Sequence, residues 1–202
     1  MRIAILGAGR VGSTLGGRWA AAGHDITYGV RDPSEARHGG LAAVATPAGA
    51  VAGADVVLLS LPWAAVEAVV AGVQLGDAVV IDATNPLAAG ARELVAHPEL
   101  SGAELVARWT GSTRVVKAFN TTGSANMADP AYPGGTPMMP VAADDESAKA
   151  VAMELAAAIG FAPVDAGPLA AATDLEHLAM LWIRMAFALG RGPGFAFALL
   201  AR

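Results

Sequence analysis

The chain has 202 residues, 54% of them apolar and only 15% charged, with a formal net charge of −5 and a mean hydropathy of +0.49. That balance excludes a disordered chain, the absence of cysteine excludes disulfides, thiolate nucleophiles and Cys-type zinc sites, and scattered arginines give nucleic acid no basic stripe to grip. The most membrane-like stretch, 51–75, is interrupted by Asp55, Pro62 and Glu67 and falls short of the roughly 20 apolar residues that a bilayer span needs. The first glycine follows only a short apolar run, which is not the pattern of a signal peptide, so a cytoplasmic protein without a membrane segment is expected.

In chain order, "RIAIL" (2–6) is a continuous apolar run ending at glycine, as expected of a strand buried on both faces. The stretch 11–23 has helical spacing through Val11, Leu15, Trp19 and Ala22 and stops at Gly23. "DITYG" reads as a second strand, and "TPAGAVAG" offers Thr46 as helix N-cap with Pro47 at the first helical position. Stretches 54–61 and 77–84 are two more buried strands with a helix near 63–72 between them, and 112–119 is another strand. The stretch "PMMPVAA" (137–143) is also strand-like, though Pro140 points it to an edge. A helix over 144–160, with acids in its first turn and a terminal glycine, precedes a last short strand, "APVDAG". This alternation predicts an α/β fold: a doubly wound, mostly parallel Rossmann-type sheet with helices on both faces.

From about Pro168 the rhythm breaks. The stretch 174–190 is apolar nearly all round, with Leu175, Leu178, Trp182, Met185 and Leu189 on one side and Met180, Ile183 and Phe187 on another. A helix with two apolar faces is expected between layers, here as a small cap over 168–202 whose outer layer is a partner subunit, giving a homodimer. Residues 1–167 would then form the dinucleotide-binding domain.

Gly7, Gly9 and Gly12 stand between the first strand and first helix, matching G-x-G-x-x-G in the context that gives the motif its meaning. Gly7 permits the tight turn, Gly9 lets backbone approach a pyrophosphate, and Gly12 lets helix pack on strand. The amides of Ala8, Gly9, Arg10 and Val11 then point at an anion, helped by the positive end of the helix. A ribose-binding acid is expected about 20 residues further on, yet Arg31 stands there. A guanidinium at that position suits a 2′-phosphate, so NADP is favoured over NAD; Asp32, if its carboxylate faced the ribose, would admit NAD as well. Arg37 is a further candidate positive contact. Thr84 and Asn85, at the end of another strand, are candidate nicotinamide-side contacts because ligands of such sheets bind outside the carboxyl ends of the strands.

The stretches "GAGRVGSTLGGRWAAAGHDI", "GVRDP", "SLPW" (60–63), "VVKAFNTTG" (115–123), "ADDESAKAV" (143–151) and "PVDAGPL" (163–169) resemble, together and in order, the NADPH-dependent oxidoreductases of the deazaflavin coenzyme F420. Their domain also recurs in the cytosolic part of membrane metalloreductases. The resemblance implies a Rossmann-type domain with a small C-terminal helical cap, NADPH along the strand ends, and F420 as co-substrate across the nicotinamide. It implies that Gly7 to Gly12 bind pyrophosphate, Arg31 the 2′-phosphate, and Ser60, Leu61, Pro62 and Trp63 the cofactor. Asn120, Thr121, Thr122, Gly123 and Ser124 would line the space where the two rings meet. Val30 and Asn120 depart from the family, which tends to carry serine and, in archaeal enzymes, histidine there.

The residues offer no Ser-His-Asp set, no metal cluster and no close carboxylate pair, and no catalytic acid or base can be named. His24 and His97 read as solvated helix-end residues and His38 as part of a mobile loop; His177, on the cap helix, is the leading acid or base candidate among the histidines, with plain solvation beside Glu176 as the alternative. Pro62 and Trp63 also suit the plain start of a helix. Hydride transfer between two stacked rings makes little demand on a general acid, and orientation alone can supply on the order of 7–11 kcal/mol of the barrier. The expected activity is therefore hydride transfer between NADP(H) and F420. An NADPH-dependent flavin or ferric reductase, or a non-catalytic NADP-binding redox sensor, are the alternatives.

Overall fold

The computed structural model describes residues 1–88, 90, 93–95 and 99–202. His97, read above as a helix-end residue, lies outside the described residues. Among the described residues, eight strands form one sheet: β1 (Arg2–Leu6), β2 (Asp25–Gly29), β3 (Val44–Ala45), β4 (Val56–Leu59), β5 (Val79–Asp82), β6 (Val115–Lys117), β7 (Met138–Ala143) and β8 (Ala162–Asp165). Their spatial order is β3-β2-β1-β4-β5-β6-β7-β8. Neighbours from β3 to β6 are parallel; β7 runs antiparallel to β6, and β8 follows β7. Between β1 and β4 the order reverses, which opens a crevice at the carboxyl ends of those two strands.

The helices are α1 (Arg10–Ala21), α2 (Pro47–Val51), α3 (Trp63–Ala71), α4 (Gly102–Thr110), α5 (Ser124–Ala128), α6 (Glu146–Ala158) and α7 (Ala172–Ile183). They cover both faces of the sheet, as the alternating strand residues require. Ile3, Ile5, Val56, Leu58 and Ile81 join Leu15, Trp19 and Leu155 of α1 and α6 in one apolar layer. Ala4, Leu6, Val57, Leu59 and Val80 point the other way, towards Val66, Val70 and Val106 of α3 and α4. Strands buried on both sides need the near-continuous apolar sequences seen here.

Local signals place several elements as expected. The Thr46 side chain accepts from the Gly49 amide above Pro47, and Asp145 caps α6 by accepting from the Ala148 amide. Two readings need correction. Strand β7 is interior, not an edge: it pairs with β6 only through Ala142 and Ala143, so the missing N–H of Pro140 interrupts no ladder on that side. The segment 174–190 is not one continuous α-helix, because α7 ends at Ile183 and passes into a π-helical turn, Arg184–Ala188. Leu175 and Trp182 of that segment are buried within the chain, whereas Phe187 and Leu189 are 68% and 72% exposed. Among the described residues, no helix is long and apolar enough to cross a membrane.

Candidate functional site

The glycine loop leaves β1 and enters α1 with each glycine doing a different job. Gly7 has φ +106, and a side chain there would strike the Ser60 carbonyl at 2.7 Å. Gly12 lies against its own loop: a Cβ would sit 2.1 Å from the Gly7 carbonyl and 2.5 Å from Ser60 Oγ. Gly9 faces open space, with nothing within 4 Å of an added Cβ. It is also the N-cap of α1, no side chain caps that end, and no acid occupies the first turn. An uncapped twelve-residue helix behind a bare glycine is an anion cradle, because its leading amides lack protein acceptors and its dipole favours negative charge. Ser60 locks the loop from the side, its hydroxyl donating to the carbonyls of Gly7 and Leu6 at 2.9 and 3.2 Å.

At the end of β2, Val30 is buried while Arg31 is exposed and makes no hydrogen bond or ion pair with the described residues. Asp32 turns inward on its own loop: Oδ1 accepts from the Ser34 hydroxyl at 2.6 Å and the Ser34 amide at 2.9 Å. Those two bonds hold its carboxyl below the usual range. One of its oxygens is thus committed locally, whereas Arg31 is free to meet a ligand. Arg37 pairs with Glu35. His38 is buried in a 3-10 turn, and its Nε2 has no partner among the described residues.

A cleft of about 410 Å³ runs beyond the strand ends, lined by Val11, Ser60, Leu61, Pro62, Trp63, Thr84 and Asn85 among others. Trp63 opens α3 and packs on Trp109 with ring centroids 5.3 Å apart, so it serves as helix start and as cleft wall at once. Asn120 braces this wall from behind: its Nδ2 donates to Asn85 Oδ1 at 3.0 Å and to the Leu175 carbonyl at 3.1 Å, and Asn85 Nδ2 donates to the Asn120 carbonyl. Phe119, just before it, holds φ +60, the only positive value at a non-glycine residue among those described. Such strain persists only where the surroundings over-determine it, and the loop it opens, residues 120–124, meets the cleft wall through Asn120 but is not part of the cleft's described lining. In that loop Thr121 is buried, the Thr122 hydroxyl accepts from Asn126, Gly123 packs on Trp182, where a Cβ would clash at 2.6 Å, and Ser124 begins α5.

Beneath Thr84 lies a group that the sequence reading leaves out. Asp82 ends β5 opposite Lys117 in β6, and both are fully buried. Lys117 Nζ donates to Asp82 Oδ2 at 2.9 Å and to the Thr84 carbonyl at 2.7 Å, and lies 2.9 Å from Glu176 Oε1 of α7. Glu176, expected in solvent, is thus 3% exposed, and its other oxygen accepts from the Gly102 amide at the start of α4. Two carboxylates do converge, with an ammonium between them. Burial alone would push the Lys117 ammonium down, but Asp82 and Glu176 outweigh it and hold its pKa above the ordinary value. His177, next in sequence, is exposed and its Nδ1 contacts the Thr173 carbonyl, 2.7 Å away.

Residues 2–86 match the model of the family described as NADP oxidoreductase coenzyme F420-dependent. The F420-dependent NADP reductase of Methanothermobacter thermautotrophicus is 32% identical over 207 residues, an alignment spanning 92% of this chain and 89% of that protein. The chain belongs to this family. As a member of the F420-dependent NADP oxidoreductases it is an NADP-dependent enzyme, and the redox pair of the family is NADP with F420 as co-substrate. A crystal structure from Arthrobacter sp. fb24 superposes over the whole of both chains with a TM-score of 0.87 at 31% identity. Metalloreductase STEAP3 of Rattus norvegicus is 29% identical over 88% of this chain, which spans only 36% of that longer protein. The geometry suits the family's nucleotide: Gly9, open at the uncapped start of α1, and Arg31, unpaired among the described residues, are two separate places able to meet phosphate.

Proposed function

We propose that the protein transfers hydride between NADP(H) and coenzyme F420. One observation carries this beyond the family's coarser activity: none of the described side chains lining the 410 Å³ cleft is titratable. Reduction of a ketone or imine asks for a positioned proton donor, whereas transfer between two stacked rings does not. When bound, the nicotinamide supplies the hydride and the deazaflavin ring receives it. The amides of Ala8 to Val11 hold the pyrophosphate, Gly7 and Gly12 shape the loop that presents them, and Arg31 takes the 2′-phosphate. Leu61, Pro62 and Trp63 exclude water from one side of the nicotinamide. Thr84 and Asn85, braced by Asn120, orient its other side, and Thr121 to Ser124 border the second ring. In this reading residues 1–167 bind the dinucleotide and 168–202 form the cap. The exposed Leu181, Phe187 and Leu189 meet a second copy of the chain, and the enzyme works in the cytoplasm.

The similarity to a metalloreductase favours one competing acceptor, a free flavin or ferric complex. Following NADPH absorbance with F420, FMN, FAD, a ferric chelate and a ketone panel separates the two. Rapid oxidation with F420 alone is expected. Turnover with flavin or ferric iron but not F420 would replace the proposal with that second reading.

A further inference from the structure

The buried cluster under Thr84 contains one ammonium and two carboxylates, so its charges do not cancel. Asp82 is firmly an acceptor, taking the Thr84 amide at 2.9 Å, the Thr84 hydroxyl at 2.6 Å and Lys117 Nζ at 2.9 Å. Glu176 comes from a separate element, α7, and brings the second negative charge to the same ammonium. Stability alone does not account for such a group. A buried ion pair is commonly no better than an apolar filling of equal volume, and a third charge, met outside the cluster by the Gly102 amide at the start of α4, adds desolvation cost. The excess charge lies one residue from the cleft, because Thr84 bonds to both Asp82 and Lys117 and also lines the cavity.

We propose that the Asp82–Lys117–Glu176 cluster acts as a fixed negative charge that biases the neighbouring site toward the oxidised, cationic nicotinamide. This rests on the placement of the nicotinamide beside Thr84 and Asn85. NADP+ carries a positive charge on that ring and NADPH does not, so a buried negative charge tightens the first selectively and leaves the rest of the nucleotide alone. One unit charge acting through an effective dielectric of about 20 over about 10 Å changes a binding ratio by on the order of tenfold. The cluster also ties the cap helix to the wall of the cleft, since Glu176 belongs to α7 and Thr84 to the loop after β5.

The test is equilibrium binding of NADP+, NADPH and 2′,5′-ADP, which lacks the nicotinamide, with circular dichroism as the check on folding. Glu176→Gln neutralises the cluster with little change of shape. The ratio of the NADP+ to the NADPH dissociation constant is expected to rise roughly threefold to tenfold, with 2′,5′-ADP unaffected. The double variant Lys117→Gln/Glu176→Gln leaves Asp82 as the single excess charge and is expected to return the ratio towards that of the wild type. A merely structural role predicts the opposite, a double variant further from wild type than the single. If Glu176→Gln does not fold, Asp82→Asn makes the same change of charge and the same rise is expected. An unchanged ratio in a folded neutral variant overturns the proposal. Failure of the wild type to bind 2′,5′-ADP would instead overturn the nucleotide site on which it rests.

Discussion

The two ends of the cleft are built on different principles. At the end proposed for the pyrophosphate the groups that matter are backbone amides, and the side chains around them are apolar or missing; Gly7 and Gly12 are there because no Cβ fits. At the end proposed for the nicotinamide Asp82, Thr84, Lys117, Asn120, Thr121, Asn126 and Glu176 are all buried polar side chains, contributed by β5, β6, α5, α7 and the loops between them. The first end is steric and local, assembled from six consecutive residues. The second is electrostatic and assembled across the fold, and it is the end at which the proposed reading puts the chemistry of the nicotinamide. A phosphate needs only donors in a fixed arc, whereas a ring that changes charge during turnover is sensitive to the field around it.

The largest effects should come from breaking each end at its own kind of weakness. Gly12→Ala would drive a methyl into the Gly7 carbonyl and Ser60 Oγ, with no flexible neighbour able to yield; a loss of about 3 kcal/mol or more, read by chemical denaturation, is expected. Lys117→Met would leave two carboxylates buried without their cation, at a cost of about 3–5 kcal/mol by the same measurement. Arg31→Ala sharpens the contrast, because an exposed, unpaired side chain contributes nothing to folding. Stability should not change, while NADPH binding weakens roughly tenfold to a hundredfold, the loss of one charge-assisted contact, and NADH binding stays as it was. Gly9→Ala, with open space around its Cβ, should leave the melting temperature alone and weaken only nucleotide binding in a calorimetric titration.

The smallest effect concerns acid. Asp145 is held below the usual carboxylate range by the Ser147 hydroxyl and the Ala148 amide, and Asp165 by the Gly167 amide and then by Lys149. A lowered folded-state pKa contributes stability that is present above about pH 4 and is lost as the pH falls through the lowered values. The melting temperature should therefore hold from neutral to mildly acidic pH and decline below about pH 4, and Asp145→Ala should flatten part of that decline.

How far each end could be read from the sequence follows from the same contrast. The glycine loop, its flanking strand and helix, and the position of Arg31 are contiguous, so spacing suffices to find them. The helix α4 was equally local, since Ser101 and Glu104 form a reciprocal capping box, but it is absent from the reading above. Strand β3, at two residues, and α5, at five, are too short to leave a periodic signature. The charged cluster is harder because Asp and Glu default to solvent in any sequence reading, and Glu176 beside exposed His177 looks ordinary. One signal was nevertheless there: Asp82 and Lys117 are the only charges within β5 and β6, both at strand ends, and the sheet pairs them directly. Two opposite charges at matching depth in adjacent buried strands are worth treating as a pair.

The most direct test of the nucleotide site is a crystal structure with NADPH bound. The account predicts the 2′-phosphate on Arg31, the pyrophosphate over the amides of Ala8 to Val11, and the nicotinamide against Thr84 and Asn85 with an open slot beside residues 121–124. A guanidinium turned away into solvent, or a nicotinamide lodged away from the end of β5, would contradict it.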